Sequence, residues 1–176
     1  MDRIPPSRLQ ALAVALLLAL GSPARAADAL QNWFDDPFFQ VSAALPDCPL
    51  PAGPFTDEAD RRVQAHRRLE KGTTCWLAKE CDRPNAYAYD ADIAAAIRAA
   101  FQPPAGERTP FPDTTLWVTV QGRVVYLEGC ARDDAEAARL ETFVRALPHV
   151  QQATAILRTD PAARPPYKTR PATLPR

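Results

Sequence analysis

Leu116-Trp-Val-Thr-Val-Gln-Gly-Arg-Val-Val-Tyr-Leu-Glu-Gly129 decides the fold of this chain. Leu116, Val118 and Val120 alternate with Trp117, Thr119 and Gln121, the period of a strand with one buried face. Gln121-Gly122 reads as a tight turn, since glycine enters the positive-φ region without steric cost. Arg123–Glu128 then runs back as a second strand.

The flanks change period. Upstream, Ile93, Ala96, Ile97, Ala100 and Phe101 recur at helical spacing, with Asp90 placed as an N-cap. Downstream, Asp133-Asp-Ala-Glu136 is a variant capping box, and Ala137, Leu140, Val144 and Leu147 restore the helical stripe. Pro148 closes that helix, and Val150–Leu157 reads as a last strand. The order α-β-β-α-β over 90–158 predicts an α+β domain: a three-stranded mixed sheet with both helices on one face. The second helix is a crossover, so the last strand should lie parallel to its neighbour with a right-handed connection. A domain of some seventy residues buries only about 60% of its unfolded surface, so a further staple is expected.

Asp92-Ile93, the hairpin ending in Leu127-Glu-Gly129, the Ala-rich Ala135–Leu147 and Val150-Gln-Gln-Ala153 together resemble the BON domain, named for bacterial OsmY and nodulation proteins. The likeness covers roughly 90–158. The chain departs from the family pattern in Ala153 and Thr154, in the long Pro-rich connection Gln102–Asp113, and in Cys130 directly after Gly129. The resemblance implies a binding module associated with phospholipid surfaces of the bacterial envelope and with osmotic-stress protection.

Residues 1–26 read as a signal peptide. Arg3 and Arg8 precede the apolar run Leu9–Leu20, and Ala24-Arg-Ala26 sets a cleavage site between Ala26 and Ala27. The run is shorter than the roughly 20 apolar residues a membrane span needs, so a chain without a transmembrane span is expected in the periplasm. Removing Arg3, Arg8, Arg25 and Asp2 leaves 18 basic and 20 acidic side chains, which argues against bulk electrostatic binding of nucleic acid. Cys48, Cys75, Cys81 and Cys130 are an even set in an oxidising compartment, so two disulfides are expected, each contributing about 2–4 kcal/mol. Zinc is the rival reading, disfavoured by the five-residue gap between Cys75 and Cys81 and by unpaired His66 and His149. Three pairings are open; Cys75–Cys81 as a local loop and Cys48–Cys130 as a long staple is the preferred one.

Residues 27–89 form an N-terminal extension. Asn32-Trp-Phe-Asp-Asp-Pro-Phe-Phe-Gln-Val41 holds four aromatic residues, which either insert into a lipid interface or partner groove, or cover the open face of the sheet. Pro46–Pro54 is an extended connector. A surface helix is expected over 57–71, opened by Thr56-Asp-Glu-Ala and stopped by Gly72. Arg61, Arg62, Arg67, Arg68 and Lys71 on it are candidate lipid-binding residues, with Trp33 and Phe34 as interfacial anchors. The bland alternative is a solvated basic face that complements the helix dipole. On the lipid-binding reading, reversing Arg67 and Arg68 to Glu should weaken lipid binding with little change in melting temperature. Residues 159–176, rich in proline, read as a disordered tail.

No catalytic constellation, phosphate-binding glycine loop or metal-spaced cluster emerges, and no cofactor is implied. A non-enzymatic protein is expected, binding either anionic phospholipid or, as a scaffolding subunit, another envelope protein through its aromatic segment.

Overall fold

A computed structural model describes residues 30–170; the signal-peptide reading and its cleavage site fall outside them. In chain order these residues form β1 (Phe38–Ala43), α1 (Glu58–Gly72), the short α2 (Thr74–Leu77), a 3-10 turn (Ala86–Tyr89), α3 (Asp90–Phe101), β2 (Thr115–Gln121), β3 (Val124–Cys130), α4 (Ala135–Arg145) and β4 (Gln152–Arg158). The hairpin β2–β3 is antiparallel with Val118 opposite Leu127, and β4 runs parallel to β3 after the α4 crossover. Gly122 and Arg123 both have positive φ, 60° and 70°, the signature of a two-residue type I′ turn.

The fold is α+β, as expected, but the mixed sheet has four strands in the order β1-β2-β3-β4, not three. The extra strand comes from the aromatic segment. Phe38–Ala43 pairs antiparallel with β2 across a bulge between Gln40 and Ser42. Pro37 precedes the strand, where its missing N–H removes no ladder bond, and its carbonyl accepts from Val120 N at 3.1 Å. Phe39 and Val41 extend the helix-covered core, while Phe38 meets Phe55 edge-on across a 6.0 Å centroid distance. The aromatics therefore lengthen the sheet and furnish both of its faces.

One face carries the core. Ile93, Ile97 and Phe101 from α3 and Leu140 and Val144 from α4 bury Leu116, Val118, Val120, Val125 and Leu127. Of the expected capping box at the start of α4 one half forms: the Asp133 carboxylate accepts from Glu136 N at 3.0 Å, while Asp134 at the N-cap makes no side-chain bond and Glu136 pairs with Arg139. Asp90 does not cap α3. The 3-10 turn runs straight into the helix, and the buried Asp90 carboxylate instead accepts from Gly122 N at 2.6 Å and Arg123 N at 2.9 Å. It pins the hairpin turn to the helix.

The other face is crossed by the extension and by the C-terminal segment. Cys48–Cys130 and Cys75–Cys81 are both paired, with Cα separations of 5.9 and 5.5 Å. The long bridge holds the connector against the end of β3. Residues 159–170, expected to be disordered, pack there too: Tyr167 is buried, and its hydroxyl donates to the Pro49 carbonyl at 2.8 Å. Ala52 N donates to Lys168 O at 2.8 Å and Arg170 N to Leu50 O at 2.9 Å, so two Pro-rich strips satisfy each other's backbone. Low apolar content hid this, because the attachment is made by main chain and one tyrosine.

Removing the long staple with Cys48→Ser and Cys130→Ser together should lower the unfolding free energy by about 2–4 kcal/mol in denaturant titration. Thiol titration of the denatured, unreduced wild type should find no free cysteine. An unshifted midpoint would show that the bridge restrains nothing.

Candidate functional site

Asp57, not Thr56, caps helix α1: the Asp57 carboxylate accepts from Asp60 N at 2.8 Å. Its apolar residues are few, and Val63 and Leu69 are exposed, so no hydrophobic stripe seats it on the sheet. A polar anchor does so instead. Arg68 donates to both oxygens of the Asp36 carboxylate at 2.9 and 2.8 Å, and Gln121 Nε2 donates to the same carboxylate at 2.7 Å. Asp36 is only 4% exposed, so its carboxylate is withdrawn from water and depends on these partners. The Arg68 guanidinium also lies over the Phe34 ring at 4.3 Å and the Tyr87 ring at 3.7 Å. Asn32 orients the acid by bonding both its N–H and its carbonyl.

A helix carried on long side chains leaves room beneath it. A cleft of about 280 Å³ opens between α1 and the second face of the sheet, where Gln64, Arg67, Arg68 and Lys71 face Tyr87, Gln121 and Tyr126. Its electrostatics follow from which cations are already satisfied. Arg68 is neutralised by Asp36. Arg67 and Lys71, one turn apart and exposed, have no carboxylate within ion-pair distance among the described residues. The Tyr87 hydroxyl is pushed up from its ordinary pKa by burial, against the pull of Arg68, and so stays a donor at neutral pH. The cleft thus gathers two uncommitted cations with phenol and amide groups, a set suited to phosphate-type oxygens.

The seven lipid-binding candidates divide. Arg67 and Lys71 stand at the cleft. Arg68 lines it but is structural. Arg61 binds both oxygens of Glu58 at 2.6 and 2.7 Å and Arg62 shares that carboxylate, which holds the Glu58 pKa down at about 2. Trp33 donates through Nε1 to the Thr56 carbonyl at 2.8 Å under the Arg61 guanidinium, and Phe34 stacks on Arg68. Neither ring is an outward anchor. Gln64, Tyr87, Gln121 and Tyr126 escaped sequence reasoning, because ordinary polar residues gathered from four separate segments leave no local signature.

Beside it a second cleft of about 600 Å³ is bounded by Phe55, Asp60, Gln64, Gln121, Glu128 and Lys168. Burial alone pushes the Glu128 carboxyl above its usual range. Among the described residues no group of three metal-ligating side chains occurs, and no helix is long and apolar enough to cross a membrane. Compared with known proteins, the chain matches no family model, and no curated protein or solved structure matches it significantly.

Two predictions follow the geometry. Arg68→Ala should destabilise by about 3–5 kcal/mol, since it strands a buried carboxylate, whereas Arg67→Ala should stay within about 0.5 kcal/mol. Equal denaturation midpoints for the two variants would contradict the anchor. This corrects the expectation that reversing both arginines leaves the melting temperature unchanged. Because the folded Glu128 pKa lies above its unfolded value, the native state takes up the proton first, and stability falls as pH rises through the folded pKa. Glu128→Gln should therefore raise the melting temperature at neutral pH and leave it unchanged below the unfolded carboxylate pKa, as thermal scans across pH would show.

Proposed function

We propose that this is a non-enzymatic, BON-domain protein of the periplasm that binds the phosphate headgroup of anionic phospholipid in the cleft beneath α1. The observation that carries the reading is the pair Arg67 and Lys71, exposed and without carboxylate partners at the rim of a cleft lined with Tyr87 and Tyr126. A volume of about 280 Å³ suits a headgroup phosphate, so the lipid would be read at the membrane surface. The order α3-β2-β3-α4-β4, with Leu127-Glu-Gly129 closing the hairpin, supports the likeness to BON domains. At Gly129 the likeness has a physical reason: a Cβ there would run into the Thr115 carbonyl oxygen. Two disulfides and the export signal read from residues 1–26 support a periplasmic location. Attachment to the envelope under osmotic or envelope stress is the role that fits. A scaffolding subunit docking through the aromatic segment is the weaker reading, because Trp33, Phe34, Phe38 and Phe39 are all engaged inside the protein.

Sedimentation with phosphatidylcholine vesicles, with and without phosphatidylglycerol, tests the proposal. Wild type should bind only the anionic vesicles, and binding should fade as the Debye length shortens from about 10 Å at 0.1 M salt to about 3 Å at 1 M. A basic side chain at an anionic surface contributes about 1 kcal/mol, so Arg67→Glu with Lys71→Glu should weaken binding roughly tenfold or more. Inorganic phosphate in excess should compete if the cleft reads phosphate alone, and should not if the lipid surface is needed. Indifference of wild type to anionic vesicles at low salt would end the lipid reading.

A further inference from the structure

Four large hydrophobic side chains are conspicuously exposed among the described residues, and three of them, Leu69, Trp76 and Leu77, lie within nine positions of one another. Leu69 and Leu77 are 78% and 75% exposed and Trp76 is 46% exposed. A scatter of single exposed residues needs no explanation, but this set crowds the end of α1 and the one-turn α2.

The segment is rigid. Cys75 is buried and bridged to Cys81, and Glu80 N donates to the Cys75 carbonyl at 2.8 Å. Lys79 takes φ 60° to turn the chain, its N–H donating to Trp76 O at 3.0 Å. Beyond the bridge, the Tyr89 hydroxyl in the core accepts from Asp82 N at 3.0 Å and Arg83 N at 2.8 Å. Trp76 and Leu77 are therefore held outward by a braced loop, with little ordering entropy left to lose on contact.

We infer that the Cys75–Cys81 loop is a wedge that enters the interfacial layer of an anionic bilayer, presenting Trp76 and Leu77 to the acyl boundary. This rests on the headgroup reading above and adds a second point of contact to it. Two observations favour a bilayer over a protein groove. Cations adjoin the apolar tip: Lys79 borders the same hollow as Trp76 and Leu77, and Lys71 borders both the headgroup cleft and the hollow beside Cys75. Of the acids nearby, Glu70 lies 3.3 Å from His66, and Glu80 shares the hollow beside Cys75 with Lys71, while Lys79 stands at the apolar tip itself. Second, a largely exposed leucine next to a half-exposed indole, sharing one open hollow with Lys79, forms a projecting tip. A fluid interface accepts such a shape without a matching pocket, and tryptophan with flanking lysine is the composition that interface favours.

The test uses phosphatidylcholine–phosphatidylglycerol vesicles, some carrying brominated acyl chains. Leu77→Ser and Trp76→Phe are compared with wild type after near-ultraviolet dichroism and thiol titration show each folded and bridged. Leu77→Ser should partition at least tenfold more weakly, and bromine should quench wild-type fluorescence but spare Trp76→Phe. Wild-type partition by Leu77→Ser, with no quenching lost in Trp76→Phe, overturns the wedge while leaving the headgroup cleft standing. Failure of wild type to bind any vesicle overturns both. Concentration-dependent self-association that Leu77→Ser abolishes, without vesicle binding, would assign the tip to a second copy of the chain and reject the bilayer.

Discussion

The ion pair between Arg68 and Asp36 is the constraint on which the arrangement outside the core depends. Asp36 sits in the sharp turn before β1, Arg68 in the third turn of α1, and Gln121 at the end of β2. One carboxylate thus joins the edge strand, the basic helix and the hairpin. A desolvated pair contributes little net stability against an apolar equivalent, but breaking one is costly, so its effect is to specify position. Phe34 and Tyr87 on either side of the guanidinium reinforce that position. The consequence is a helix held over the sheet on long side chains, with a cleft under it that an apolar stripe would have closed.

The second face of the sheet is covered by pieces that individually could not fold. The connector 46–54 and the segment 159–170 have no core of their own. The Cys48–Cys130 bridge brings the first to the end of β3, and Tyr167 wedges beside both sulfurs at 3.7 and 4.0 Å. Burial raises the Tyr167 pKa to about 12, so its hydroxyl remains a donor to Pro49. A small domain that buries too little apolar surface by itself thereby gains a layer fastened by covalent and main-chain links.

The division of the basic side chains shows why a charge cluster in a sequence is not yet a site. Arg61, Arg62 and Arg68 are as basic as Arg67 and Lys71, but Glu58 and Asp36 take the first three into internal pairs. Only the remaining two keep charge available at the cleft. Likewise, Trp33 and Phe34 lie in the most aromatic stretch of the chain, and yet Trp76, which the sequence suggests as a packing residue of the Cys75–Cys81 loop, is the tryptophan left exposed.

By itself the sequence determined the elements from Asp90 to Arg158, because hydrophobic period, the Gly122 turn and the Asp133 cap are local signals that neighbouring residues express together. It also indicated two disulfides from the parity of the four cysteines, though not which partners bond. Tertiary structure alone decided that Phe38–Ala43 becomes a fourth strand, that Asp90 holds a turn thirty-odd residues away, and that residues 159–170 are bound. Each of these depends on a partner distant in sequence, so no period or spacing within the segment itself records it. The cleft belongs to the same class: its position follows from Asp36 meeting Arg68, a contact that exists only once the chain has folded.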